Sequence, residues 1–149
     1  MTIQYAAGTL VVAETTGRVL LMCRSDGSGW SHPGGMTDPE DECAEETAIR
    51  ELVEETGFPP ILTEQCGHTQ LAKLDSGEVV LLDEDDDYDS SVVLVYDLFV
   101  VTVREEFVPK LDGEHTAWAW VHPDDPEDLT GSLHPGAARA LIWLMEEYG

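Results

Sequence analysis

Positive charge is what this chain has least of. Its 149 residues carry 7 Lys and Arg against 31 Asp and Glu, a formal net charge of −24. Bulk charge of that sign opposes binding to a nucleic-acid polymer or an anionic membrane surface, which carry the same sign. A small anion escorted by a metal ion is not excluded. Cysteine is scarce too: Cys23, Cys43 and Cys66 are an odd number without CxxC spacing, which argues against a disulfide framework and a thiolate zinc site. Long apolar runs are missing, and none approaches the roughly 20 residues of a membrane-spanning helix. Met1 to Ala13 lacks a basic start and alternates like a strand, so it does not read as a signal peptide, and a cytoplasmic setting is the expectation. The length suits one domain over residues 1–149 with a core of its own. The excess acid itself reads as a solvated surface, as in proteins adapted to high salt.

What is present is an ordered series of elements. Tyr5 to Glu14 and Val19 to Arg24 are rich in apolar and β-branched residues, and Thr15-Thr16-Gly17-Arg18 between them fits a hairpin turn. A helix is expected from about Cys43 to Thr56, stopped by Gly57 and Pro59-Pro60, with Asp41 or Asp38 as its N-cap because Cys43 caps poorly. Ile61 to Cys66, Thr69 to Lys73, Val79 to Leu82, Val92 to Val103 and Trp118 to Val121 read as strands. Asp125 to Leu129 fits a short helical turn, and Pro135 to Tyr148 a C-terminal helix whose Ala138, Leu141, Ile142, Leu144 and Met145 face a sheet. Strands, helix, strands, helix is the order of a mixed sheet flanked by helices.

The stretch Arg50-Glu51-Leu52-Val53-Glu54-Glu55-Thr56-Gly57-Phe58 carries the chemistry. At about 100° per residue, Glu51, Glu54 and Glu55 share one arc of the helix about 100° wide, beside an apolar arc of Ala48, Ile49, Leu52 and Val53. Like charges at these spacings repel unless cations occupy the face. Hard divalent cations such as Mg²⁺ take oxygen ligands of this kind and share them with substrate phosphates. Upstream stand Trp30, His32-Pro33-Gly34-Gly35 and, eight positions before Arg50, Glu42. Together these residues resemble the Nudix hydrolase signature, G-x5-E-x7-R-E-U-x-E-E-x-G-U with U apolar. Glu42, Arg50, Glu51, Leu52, Glu54, Glu55, Gly57 and Phe58 match it in register. Gly35 lies six residues before Glu42 in place of five, and Asp41 stands where the family often has a second glycine.

The resemblance implies an α/β fold, the α/β/α sandwich of that family, and a divalent-metal-dependent pyrophosphohydrolase. Its substrate would be a nucleoside diphosphate linked to another moiety, attacked by water at phosphorus, with Mg²⁺ as cofactor and Mn²⁺ as the alternative. It implies Glu51 and Glu55 as direct metal ligands, Glu54 as a further holder of metal or its waters, and Arg50 as the residue that orients a carboxylate. Gly35 would offer a carbonyl to the metal, and Glu42 would brace the loop. Glu114 precedes the strand ending in Trp120-Val121, as a late glutamate does in several branches, and is implied as an additional ligand or general base. His115 would be its hydrogen-bonding neighbour. Arg24 stands where such enzymes reach a substrate phosphate, and Trp30, Tyr88 and Trp118 are aromatic candidates for stacking on a base. The partner is then a small-molecule nucleotide, with no polymer and no membrane; a homodimer is compatible with the sequence and not specified by it. The Glu-His-x-x-Trp-x-Trp-Val segment leans toward nucleoside triphosphates. A silent nucleotide-binding sensor is the rival reading, opposed by the intact Glu51, Glu54 and Glu55. The acidic run Asp83 to Asp89 fails as an EF-hand, because Tyr88 replaces its glycine and Leu94 its last glutamate, and reads as a hydrated loop.

Overall fold

The computed structural model describes residues 3–57, 64–82, 91–111, 113–124 and 133–148. Its strands are β1 (Gln4–Ala13), β2 (Val19–Arg24), β3 (Trp30–Ser31), β4 (Gly34–Met36), β5 (Glu64–Leu74), β6 (Val79–Leu82), β7 (Val92–Val103) and β8 (His115–Val121); its helices are α1 (Ala44–Thr56) and α2 (Pro135–Tyr148). The eight strands form one sheet in the order β3-β2-β1-β7-β5-β6, with β4 pairing β1 and β8 pairing β2. β1 and β7 run parallel, from Gln4 opposite Leu94 to Ala13 opposite Val103, while β5 and β7 are antiparallel. The sheet is therefore mixed, as the element order implied.

Alternation along the strands supplies two apolar faces. Leu10, Leu98 and Val100 pack with Leu141 and Leu144 of α2 on one side, and Val11, Leu20, Met22 and Val101 pack with Leu52 of α1 on the other. Each fully buried leucine contributes about 2 kcal/mol by leaving water. In α2 the buried stripe is Ala137, Ala140, Leu141 and Leu144, with Trp143 beside it, and Ile142 is exposed. Leu141 and Leu144 lie on the expected stripe, whereas Ile142 is exposed and Ala138 and Met145 are half-buried. In α1, Thr47, Ala48, Leu52 and Glu55 are buried and Val53 is exposed. Contacts with β4 turn the helix toward its carboxylates.

Several elements differ from the sequence reading. The separate strands expected at Ile61 to Cys66 and Thr69 to Lys73 are one strand, β5, whose register shifts between Gln65 and Gly67. A bulge absorbs the interruption in pattern between them. β8 begins at His115, three residues before Trp118. β3 and β4 were not expected, since Trp-Ser and Gly-Gly-Met are too short to show a period. Gly57 does stop α1, in the left-handed conformation at φ 68°, with its N–H on the Val53 carbonyl. Phe58, Pro59-Pro60, Tyr88 and the run Asp83 to Asp89, and Asp125 to Leu129 lie outside the described residues. Among the described residues no helix is long and apolar enough to cross a membrane.

Candidate active site

A cavity of about 480 Å³ opens on the α2 face of the sheet. Ala6 of β1, Tyr96 and Leu94 of β7 and Leu71 of β5 line it, and Gly34 to Met36, Glu51, Glu55, Arg24, Glu114 and His115 line its polar part. The helix carboxylates get there through β4. Gly34 donates its N–H to Glu55 Oε2 at 2.9 Å, and Glu55 is only 3% exposed. A Cβ on Gly35 would lie 2.5–2.7 Å from the carboxylate atoms of Glu51, so this position admits no side chain while Glu51 stays where it is. Gly34 is closed in the same way by the Tyr96 hydroxyl.

Arg50 holds the assembly from behind. Its Nη1 donates to Glu51 Oε1 at 2.9 Å and to Glu54 Oε2 at 3.3 Å; its Nε and Nη2 donate to the two oxygens of Asp41 at 3.2 and 3.0 Å. The Met36 carbonyl accepts a further bond from Nη2. The fork geometry of guanidinium suits two carboxylates at once. Asp41 also accepts from the Thr47 hydroxyl and the Asp38 N–H, and its carboxyl pKa is driven well below the usual range, chiefly by Arg50. Asp41 is thereby used up as a brace and does not cap α1. The N-cap is Cys43, without a side-chain hydrogen bond, and Glu42 is exposed, so the bracing expected of Glu42 falls to its neighbour.

A model of the NUDIX domain family matches residues 2–144. The chain belongs to the Nudix family. Over 70 residues it is 40% identical to a candidate 8-oxo-dGTP diphosphatase of Bacillus subtilis (strain 168), a match that spans 46% of this chain and 46% of that relative. A C. elegans Ap4A hydrolase superposes with a TM-score of 0.69 at 20% identity, covering 98% of this chain and 97% of its own, which shows a shared fold. RenU, a Nudix hydrolase of M. smegmatis, superposes at 0.66 with 25% identity, covering 95% and 83%.

In this Nudix chain the expected residues separate into three groups. Glu51, Glu55, Glu114, Gly35 and Arg24 share the cavity. Glu54 is exposed, with its carboxylate on Arg50, and does not line the cavity. Trp30, expected as a stacking candidate, is 5% exposed and packed in the core with Leu10 and Leu98, where its strand pairs with β2. Trp118 packs with the α1-side cluster. Arg24 forms an ion pair with Asp26 at 3.3 Å and sits opposite His115 in the β2–β8 ladder. Sequence reasoning missed Asp41, His32 and Tyr96. Tyr96 stood out only as a polar residue inside an apolar run and His32 only as a neighbour of the Pro-Gly-Gly turn, and neither signal reveals a shared contact.

Glu51, Glu55 and Glu114 are oxygen donors of the kind a hard divalent cation takes. Glu51 is pushed above the ordinary carboxyl pKa, chiefly by burial, with the charges of Glu54 and Glu114 adding to the shift and Arg50 opposing it. A cation among Glu51, Glu55 and Glu114 would relieve that strain. Among the described residues no three carboxylate, imidazole or thiol side chains gather tightly enough to enclose an ion alone. Mg²⁺ keeps several waters and tolerates such an open set.

His32 and Tyr96 meet beneath the loop, with the Tyr96 hydroxyl 3.3 Å from His32 Nδ1 and the rings edge to face. Burial lowers the His32 pKa to about 4 and raises that of Tyr96 well above its ordinary value. His32 is therefore neutral in the folded chain at pH values where the unfolded chain already takes up its proton. Its contribution to stability is complete above pH about 6.5 and disappears as the pH falls to about 4, a loss of about 3 kcal/mol from this group. Urea unfolding at pH 7 and pH 4 should show a fall that is shallower in His32→Gln by about that amount. Equal falls in the two proteins would exclude this origin.

Proposed function

We propose that this chain is a divalent-metal-dependent pyrophosphohydrolase acting on a nucleoside triphosphate or a related nucleoside diphosphate derivative. The observation that carries the reading is the meeting of Glu51, Glu55 and Glu114 with Arg24 in one cavity, behind a glycine pair that tolerates no side chain. The B. subtilis relative named for 8-oxo-dGTP agrees with a triphosphate substrate. Glu51, Glu55 and Glu114 would hold Mg²⁺ or Mn²⁺ together with the Gly35 carbonyl, and Glu54 would stand outside them. The bound cation would neutralise phosphate oxygens and make its water more acidic.

The chain's own residues do the rest. Arg24 binds a phosphate oxygen and places the phosphoanhydride against the carboxylates. The carboxylate of Glu114 accepts the proton of the attacking water. Arg50 is a positioning residue: by occupying Glu51 Oε1 it aims Oε2 at the cavity. Gly34 does the same for Glu55. The apolar side of the cavity, with Leu71 and Val79, takes the nucleoside and keeps bulk water from the reacting phosphate.

Nucleoside triphosphates, nucleotide sugars, ADP-ribose and dinucleoside polyphosphates incubated with Mg²⁺ or Mn²⁺ and resolved by chromatography test this. Triphosphate is expected to yield nucleoside monophosphate, with turnover abolished by EDTA and restored by excess Mg²⁺. Saturable binding of one nucleotide with no hydrolysis of any would favour the sensor reading instead.

A further inference from the structure

The wall of the cavity away from the carboxylates is apolar except at one point. Leu71, Val79, Leu94 and Ala137 line it, and Lys73 lines it beside them. Lys73 faces Leu94 across the β5–β7 ladder and Val79 across the β5–β6 ladder, so its stem runs along these side chains. The residue is exposed, which puts its head at the rim. Among the described residues it forms no ion pair, in a chain with 31 carboxylates. Three strand steps separate β5 from β4, through β7 and β1. At roughly 4.8 Å per step, with a further three residues of roughly 3.3 Å along the strand from the level of Leu94 and Gln4 to that of Ala7 and Gly35, that is about 17 Å, comparable with an extended nucleoside triphosphate from its last phosphate to its base. Phosphates gathered at Glu51, Glu55 and Arg24 would leave the base, and not a phosphate, at Lys73.

An ammonium offers three donors and no acceptor. It bonds the oxygen and ring nitrogen of a keto purine and is mismatched with the amino group that adenine carries at the same edge. We propose that Lys73 is a specificity-determining residue that selects keto purines, so that guanine and hypoxanthine nucleotides are preferred over adenine nucleotides. The inference rests on the nucleotide-hydrolase reading and names the substrate class of that same site.

Two measurements test it on the full chain. The ratio of kcat/KM for GTP over ATP, with Mg²⁺, is expected to be about tenfold or more in the wild type. It should fall toward one in Lys73→Met through a higher KM for GTP, and be largely restored in Lys73→Arg. Calorimetric titration with GMP and AMP in EDTA reads recognition without turnover, and the preference for GMP should vanish in Lys73→Met. A general loss of packing would raise both KM values together and leave the ratio unchanged. A wild type without preference for GTP or GMP, or a Lys73→Met protein that keeps it, overturns the proposal. No turnover of any nucleotide alongside selective GMP binding would instead fail the hydrolase reading and leave Lys73 as the selector.

Discussion

Glu55→Gln and Glu51→Gln are expected to lose nucleotide turnover by at least a factor on the order of 10²–10³, with far-UV circular dichroism unchanged. Gln keeps the volume of Glu and still offers a carbonyl oxygen, so in Glu55→Gln the Gly34 N–H at 2.9 Å retains an acceptor. What is lost is negative charge in a water-poor site, where each charged group aimed at the reaction counts for several kcal/mol. Glu54→Gln should cost less, because that carboxylate is exposed and bonded to Arg50 at the edge of the site. Single-turnover assays over a range of Mg²⁺ distinguish lost chemistry from weakened metal uptake. Near-wild-type rates in both Glu51→Gln and Glu55→Gln would remove the carboxylate mechanism.

The second large effect is on stability and comes from Arg50. Arg50→Ala leaves Asp41, Glu51 and Glu54 facing one another without the cation they share. Removing one partner of a buried ion pair costs several kcal/mol. Since a quarter of the Arg50 side chain is in contact with solvent, about 2 kcal/mol is expected, seen as a Tm lower by about 4–8 °C. Arg50→Lys keeps the charge but loses the fork that reaches both Asp41 oxygens and Glu51 at once, so it should recover only part of the loss. If the alanine variant melts with the wild type, the carboxylates do not depend on this cation. A divalent ion in the site should narrow the gap between the two proteins, because it takes over part of the same charge.

Much of the fold was legible because it follows from short-range rules. Val79–Leu82, Val92–Val103 and Pro135–Tyr148 have the expected limits, since period-2 and period-3.6 patterning over several residues leaves few alternatives. The α1 stop at Gly57 follows from the one residue type that enters the left-handed region at little cost. The carboxylate register from Arg50 to Gly57 is likewise a property of one helix and can be counted.

The less legible features all depend on partners distant in sequence. Whether Glu55 or Val53 would be buried turns on which side of α1 meets β4, and that depends on close packing of Gly34 and Gly8 around Tyr96. Cys43 takes the N-cap position expected of Asp41 or Asp38, and Asp41 takes the bracing expected of Glu42, because an arginine nine residues further on competes for the aspartate more strongly than a backbone N–H does. Trp30 looked available to a ligand until β3 paired it into the core.

The sequence by itself determined that this chain is a strongly acidic member of a mixed α/β architecture, with three glutamates grouped on one helix and two glycines ahead of them. Periodicity, charge count and glycine placement are local quantities and survive without coordinates. Only the tertiary structure decided which of those carboxylates face the cavity, that Glu114 and Arg24 join them there, and that Lys73 stands on the opposite wall. Those relations are set by strand order and by helix rotation against the sheet, and neither is encoded in the spacing of any single segment.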